Sequence, residues 1–175
     1  IVIFQLEIPL ETVVYAADKL KKMGKTIILD PAPAVGELPD NLMKNVDYIK
    51  PNESELSALT RITDMDGNME SACEKLLSQG VQCVLASIGA RGVMVKRRGE
   101  KGKVYNVRKV KVIDTTAAGD SFTASVAYAL ANGRSIEEAV TFANEIAKLV
   151  VQRKGTQSSI PSEEEVRVVW KSMIS

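Results

Sequence analysis

Asp120 closes the heptapeptide Asp114-Thr115-Thr116-Ala117-Ala118-Gly119-Asp120, and Ser121-Phe122-Thr123-Ala124 comes directly after it. A β-like run, Val107 to Ile113, precedes it, and a helical pattern of small residues, Ala118 to Ala131, comes after. Thr115 and Thr116 are good N-cap residues, so the stretch reads as a strand feeding a helix N-terminus. Ala117, Ala118 and Gly119 are small enough to let a ligand reach backbone N–H groups. Those unpaired groups and the helix dipole favour negative charge. A carboxylate one residue further on does not suit an anion binder. It suits a base that takes a proton from a hydroxyl while the neighbouring amides receive a phosphoryl group. The plainer alternative is a capped helix with an acid in its first turn, where acids are common.

The whole heptapeptide resembles the Asp-Thr-x-(Gly/Ala)-Ala-Gly-Asp motif of the ribokinase-like (PfkB-type) sugar kinases. Its Ala-Ala-Gly-Asp form is most similar to the ribose kinases of that family. The resemblance covers essentially the whole chain but only the C-terminal part of family members, and it implies roles for further residues. Asp120 becomes the general base and the amides of Ala117, Ala118 and Gly119 the anion hole. Asn52-x-x-Glu55 resembles the family's Asn-x-x-Glu, whose two side chains share a helix face. It implies Asn52 on the nucleotide side and Glu55 toward Mg²⁺, a hard ion suited to a carboxylate and water. Without the family, the same pair is an N-cap Asn with an exposed Glu. Ser87-Ile88-Gly89-Ala90-Arg91-Gly92 resembles the nucleotide loop Thr/Ser-x-Gly-x-x-Gly, implying ATP contacts at Ser87, Gly89, Ala90 and Gly92. Alone it could be a hairpin entry, and Arg91 is assigned no role.

Asn144 matches a position that contacts adenine, although it reads equally well as an ordinary residue at the edge of an apolar stripe. Glu7, in Gln5-Leu6-Glu7, matches a sugar contact, although a Glu after a strand is commonly a loop acid. Pro31-Ala32-Pro33-Ala34 matches the family's Pro-Ala-Pro-Ala, with Asp30 where Asn is common. Arg153 to Pro161 resembles the loop that holds K⁺ together with Asp114 and Thr116. The implied ligands are Asp114, Thr116, Val150, Arg153, Gly155 and Ser159, the middle four through backbone. The activity this implies is an expectation: ATP-dependent phosphorylation of a sugar hydroxyl, D-ribose to D-ribose 5-phosphate, with Mg²⁺ required and K⁺ activating. The alternatives are a fructokinase, a 2-keto-3-deoxygluconate kinase, a nucleoside kinase, or a nucleotide-binding fragment without catalysis.

The elements that must position these residues are legible as pattern. Apolar runs at Ile1 to Leu6, Thr26 to Leu29, Asp47 to Lys50 and Cys83 to Ser87 read as buried strands. Helical spacing runs from Leu10 to Met23, near Asp40 to Lys44, from Pro51 to about Leu59, and from about Met69 to Ser78. Gly92 to Lys96, a charged Gly-containing turn and Val104 to Val112 read as an antiparallel hairpin. Helices over Ala118 to Ala131, Ile136 to Val151 and Ser162 to about Ser172 finish the chain. The expected fold is a three-layer α/β/α domain, mostly parallel, with a β-hairpin, one domain over residues 1–175. Its ligand turns are expected beyond the C-terminal ends of the strands, at Glu7, Asn52, Gly89 and Asp120.

Composition narrows the partners. Lys and Arg number 23 against 22 Asp and Glu, so the net charge of +1 leaves no footprint for nucleic acid or membrane. Aromatics at 5% are too sparse for a base-stacking platform. With His absent, Cys73 and Cys83 cannot make a zinc site and are expected to be reduced and buried in a cytoplasmic protein. No apolar run approaches the roughly 20 residues that span a bilayer, and no signal peptide opens the chain. Ile1 begins in mid-strand without Met, so a preceding segment carrying a lid and most sugar contacts is expected to be missing. In the family that lid often makes a homodimer.

Overall fold

Short apolar runs bounded by Gly, Pro or Asp become strands, and longer amphipathic runs between them become helices. The structure is a computed structural model that describes residues 1–34 and 36–174. Two compact units make up the chain, Ile1–Val104 and Tyr105–Ser175.

The first unit alternates β1 (Val2–Phe4), α1 (Leu10–Lys22), β2 (Ile27–Leu29), α2 (Asp40–Met43) and β3 (Tyr48–Ile49). It continues through α3 (Glu53–Thr60), α4 (Met65–Ser78), β4 (Cys83–Ser87) and β5 (Val93–Arg97) to β6 (Lys103–Tyr105), which leads the chain into the second unit. The strands lie in the order β1-β2-β3-β4-β5-β6. The first four are parallel, with Phe4 beside Leu29, Leu29 beside Ile49, and Ile49 beside Val84. Parallel neighbours require crossover connections, which the helices supply. Ile27, Ile28 and Leu29 have no exposed surface, as expected of a strand covered on both faces. Val13 and Ala17 of α1, Leu42 and Met43 of α2, Leu56 and Leu59 of α3, and Leu76 and Leu77 of α4 join that core. β5 turns antiparallel to β4, from Ser87 opposite Val93 to Cys83 opposite Arg97.

The second unit holds α5 (Ala118–Ala131), α6 (Ile136–Val150) and α7 (Glu163–Ile174). α6 starts on a capping box: Ser135 Oγ accepts from Glu138 N at 3.2 Å and Glu138 Oε2 accepts from Ser135 N at 2.9 Å. α5 packs along α6, and α7 against α6. Tyr128, Phe142 and Trp170, one from each helix, meet with ring centroids 5.0–6.0 Å apart. Among the described residues no helix is long and apolar enough to cross a membrane.

The expected α/β architecture is present, with two local corrections. The strand expected over Val104 to Val112 ends at Tyr105, and the β-like run Val107 to Ile113 is irregular. Val112 and Ile113 are 56% and 57% exposed, and Ile113 N donates to Val151 O at 2.8 Å. Alternating β-formers become a strand only beside another strand, and here that segment bonds to the end of a helix. Second, α4 starts at Met65 rather than Met69, a turn early, because Gly67 and two acids obscure the helical pattern. The charged hairpin turn and the strand before it are docked on α4. Lys96 Nζ lies 2.6 Å from Glu74 and 3.3 Å from Glu70, Gly102 N donates to Glu70 at 3.0 Å, and Arg98 donates to Leu77 O at 2.7 Å. Cys73 and Cys83 are buried and form no disulfide, and burial pushes the Cys73 thiol up to about 12, far from reactivity.

Leu76 is wholly buried and Val168 is 65% exposed. Leu76→Ala is expected to lower the unfolding free energy by about 2–5 kcal/mol. Val168→Ala should change it by no more than about 0.5 kcal/mol. Urea unfolding of the two variants measures the difference.

Candidate active site

The heptapeptide in the second unit does not fold as a threonine-capped helix. Neither Thr115 nor Thr116 caps α5. The N-cap is Ala117, in the left-handed region at φ 63°, ψ 2°, with no side-chain cap bond. The reason is Asp114, whose Oδ1 accepts from Thr116 N at 2.9 Å and from Thr116 Oγ1 at 2.6 Å. That Asx-type turn claims Thr116 before it can cap. The left-handed residue is also the position at which the family motif alternates Gly with Ala, and only Gly enters that region without strain.

This turn changes the expected anion hole. Ala118 N donates to Thr115 O at 3.2 Å and Ser121 N to Ala117 O at 3.0 Å. The Ala118 amide is therefore engaged within the turn, and Ala117 and Gly119 are the other two amides of the expected set. Both amides lie at the start of α5, where the helix has no acceptor to offer. Asp120 is exposed in the same first turn and does not face the interior.

The Arg153–Pro161 loop closes on Asp114. Asp114 Oδ2 accepts from Gly155 N at 3.1 Å, while Asp114 N donates to Val151 O at 3.3 Å. Gly155 sits at φ 101°, and a Cβ there would run into Ser158 Oγ, so this position requires glycine. Hydrogen bonds from the side chain of Thr116, its backbone N–H and the Gly155 amide pull the Asp114 carboxyl down to about 2. Val150 O accepts from Arg153 N at 3.0 Å, and the buried Ser159 donates its hydroxyl to Thr156 O at 2.6 Å. The second unit thus brings Asp114, Thr116, Val150, Arg153, Gly155 and Ser159 into one loop cluster. Carbonyls keep a second lone pair and the hydroxyl keeps its own, so the donor set fits a monovalent cation.

One member of this cluster escaped the sequence reading. Glu165 forms a fork with Arg153, with Nη1 3.2 Å from Oε2, and also accepts from Ser162 N at 2.9 Å. The Arg153 bond, then that of Ser162, draws the Glu165 carboxyl down to about 2. The spacing Ser162-x-x-Glu165 is a capping-box signal that the sequence displays. Asn144 is buried on α6 rather than at the stripe's edge, and its Nδ2 donates to Tyr105 O at 3.1 Å.

In the first unit, Glu7, Pro31–Ala34 and Asn52 come after β1, β2 and β3, and Ser87–Gly92 starts on the last residue of β4, all at the C-terminal edge of the parallel strands. Glu7 is exposed, and Leu6 N donates to Ala32 O at 2.8 Å. Asn52 and Glu55 cap each other: Asn52 Oδ1 accepts from Glu55 N and Glu55 Oε2 accepts from Asn52 N, each at 2.8 Å. Glu55 is consequently only 9% exposed, against the open Glu of the simple N-cap reading. Asn52 also bridges to Ser87, whose N–H donates to Pro51 O at 2.9 Å. Gly89, Ala90 and Arg91 form a 3₁₀ turn ending at Gly92, whose φ of 103° excludes other residues without strain. Arg91 pairs with Glu53 at 2.8 Å.

Residues 2–163 match the pfkB family carbohydrate kinase model, and the chain belongs to that family. It is 40% identical over 164 residues to the ribokinase of Haemophilus influenzae, covering 93% of this chain and 53% of that protein. Among solved structures it is similar to a ribokinase from Thermotoga maritima (41% identity, TM-score 0.85, 97% of this chain and 56% of that one). It is also similar to Arabidopsis thaliana ribokinase complexed with ribose and ATP (36% identity, TM-score 0.89, 97% and 55%). The chain therefore spans about half the length of the relatives it matches.

The Asp114 carboxyl lies below its ordinary 3.8 in the folded state. A depressed carboxyl stabilises the fold above its unfolded pKa, and that contribution is lost as pH falls through the folded value. The stability gap between the wild type and Asp114→Asn should therefore shrink as pH drops from about 4 to about 2. Thermal unfolding of both proteins across that range checks the sign.

Proposed function

We propose that this chain is the nucleotide-binding and catalytic C-terminal portion of an ATP-dependent sugar kinase of the cytoplasm, with D-ribose as acceptor and D-ribose 5-phosphate as product. The observation that carries the reading is the exposed carboxylate of Asp120 beside the Ala117 and Gly119 amides at the start of α5. Family membership and the likeness to ribokinases support the reaction class.

Phosphoryl transfer asks for positioning, a base on the acceptor hydroxyl and stabilisation of developing negative charge. Asp120 takes the proton from the sugar hydroxyl as the hydroxyl oxygen attacks the γ-phosphorus, the bond from that phosphorus to the β–γ bridging oxygen breaks, and ADP leaves. The Ala117 and Gly119 amides, with the N-terminal end of the α5 dipole, receive the phosphoryl oxygens. In the first unit Asn52, Ser87 and the Gly89–Gly92 turn hold the nucleotide, and Glu7 accepts a hydrogen bond from a sugar hydroxyl. Glu55 would be the residue that holds Mg²⁺, an ion that binds few protein ligands. The ion's chemistry, when bound, is to neutralise charge on the phosphates. The Asp114–Ser159 cluster would hold K⁺, whose charge when bound would offset repulsion beside the anion hole without entering the reaction.

Asp120→Asn in the full-length protein is expected to lower kcat by about two to four decades while the thermal midpoint stays near wild type. Turnover at the wild-type rate would remove Asp120 from the role. Replacing K⁺ by Na⁺ should reduce wild-type activity, and Gly155→Ala should abolish that difference. A coupled ADP-release assay on ribose, 2-deoxyribose and fructose reads all three and ranks the acceptors.

A further inference from the structure

Asp30 and Lys50 are opposite charges inside the sheet of the first unit. Each is the residue immediately after a strand, Asp30 after β2 and Lys50 after β3. Leu29 pairs with Ile49, so the next step along both strands sets Asp30 opposite Lys50. The Lys50 ammonium lies 2.7 Å from Asp30 Oδ2, and the two residues are 7% and 2% exposed. A buried ion pair gains little net stability over apolar residues of similar size, because both charges must leave water. Fold stability alone therefore gives little reason for the pair.

The next residue in each strand supplies a reason. Pro31 comes after Asp30 and Pro51 after Lys50, and neither proline has an N–H to continue the ladder. Between β2 and β3 the last backbone link is Lys50 N to Leu29 O at 2.9 Å, while past the prolines each strand is still bonded to its other neighbour, Leu6 N to Ala32 O at 2.8 Å and Ser87 N to Pro51 O at 2.9 Å. Beyond the Lys50–Leu29 link, the side-chain pair joins these two strand ends to each other. Lys50 is also two residues from Asn52, the cap of α3 and partner of Glu55.

We propose that Asp30 and Lys50 are a positioning pair: they clamp the ends of β2 and β3 where the backbone ladder between them stops, and so hold the Asn52–Glu55 turn in place to receive the polyphosphate and its Mg²⁺. The ligand assignment rests on the kinase reading above, whereas the clamp itself does not. Neither residue touches the reacting atoms. Asp30 departs from the Asn that is common in the family, and the pair with Lys50 explains the departure, since an aspartate is the partner that a buried lysine requires.

The test compares Asp30→Asn, Lys50→Met and the double variant in the full-length protein. Each single change leaves a charge buried without its counter-ion, so both should lower the thermal midpoint. The double variant removes both charges and should recover most of that loss. If the pair positions the turn, the double variant keeps a KM for MgATP raised about tenfold with the sugar KM unchanged, and its amides at Asn52 to Leu56 exchange hydrogen about tenfold faster than in the wild type. A double variant with wild-type stability, wild-type KM for MgATP and wild-type exchange at those amides overturns the proposal. Exchange requires no turnover, so it decides the clamp even if the wild type fails to phosphorylate sugars. That failure would overturn the kinase reading and the ligand assigned to the turn.

Discussion

The carboxylate of Asp114 is the interaction on which the candidate catalytic turn depends. Its two oxygens take Thr116 N, Thr116 Oγ1 and Gly155 N, joining the approach to α5 with the loop after α6. Three donors on one carboxylate hold it ionised far into acid. With Thr116 bound backward to Asp114, the chain can enter the helix only through a residue that reverses its twist. Ala117 accepts that strain, of order 1–3 kcal/mol, and the surrounding bonds must hold it. In return, the Ala117 and Gly119 amides stand at the helix start beside an exposed Asp120.

The first unit meets a related problem at the C-terminal edge of its sheet. Parallel strands deliver their turns to one edge, where a ligand can meet them. Proline ends the ladder there, and other contacts take its place: Leu6 N to Ala32 O, the Asn52–Ser87 bridge and the Asp30–Lys50 pair. Asn52 and Glu55 satisfy each other's caps, so the turn is ordered before any ligand arrives. Preorganisation of that kind lowers the cost of binding a highly charged group.

Particular elements show how far the sequence could be read. α5 falls on Ala118–Ala131 as its pattern predicts, and β4 on Cys83–Ser87, because a continuous apolar run and a small-residue helix each carry their own signal. The irregular path of residues 106–117 was not legible. Alternation at Val110 and Val112 satisfies the strand pattern, but no local signal says whether a partner strand exists. The Glu165–Arg153 fork was partly legible, since Ser162-x-x-Glu165 announces a cap but not the arginine it also holds.

The amino-acid sequence by itself determined the alternation of strands and helices, the location of the glycine and proline turns and the motif that ends in Asp120. These are local properties, set by side-chain periodicity and by the φ values that Gly and Pro allow. Only the tertiary structure decided which donors Asp114 collects, that Ala117 rather than a threonine begins α5, that the Ala118 amide is closed, and that Asp30 meets Lys50. Each of those outcomes depends on contacts between residues far apart in the chain or on competition between neighbouring acceptors, and neither is written in the order of residues alone.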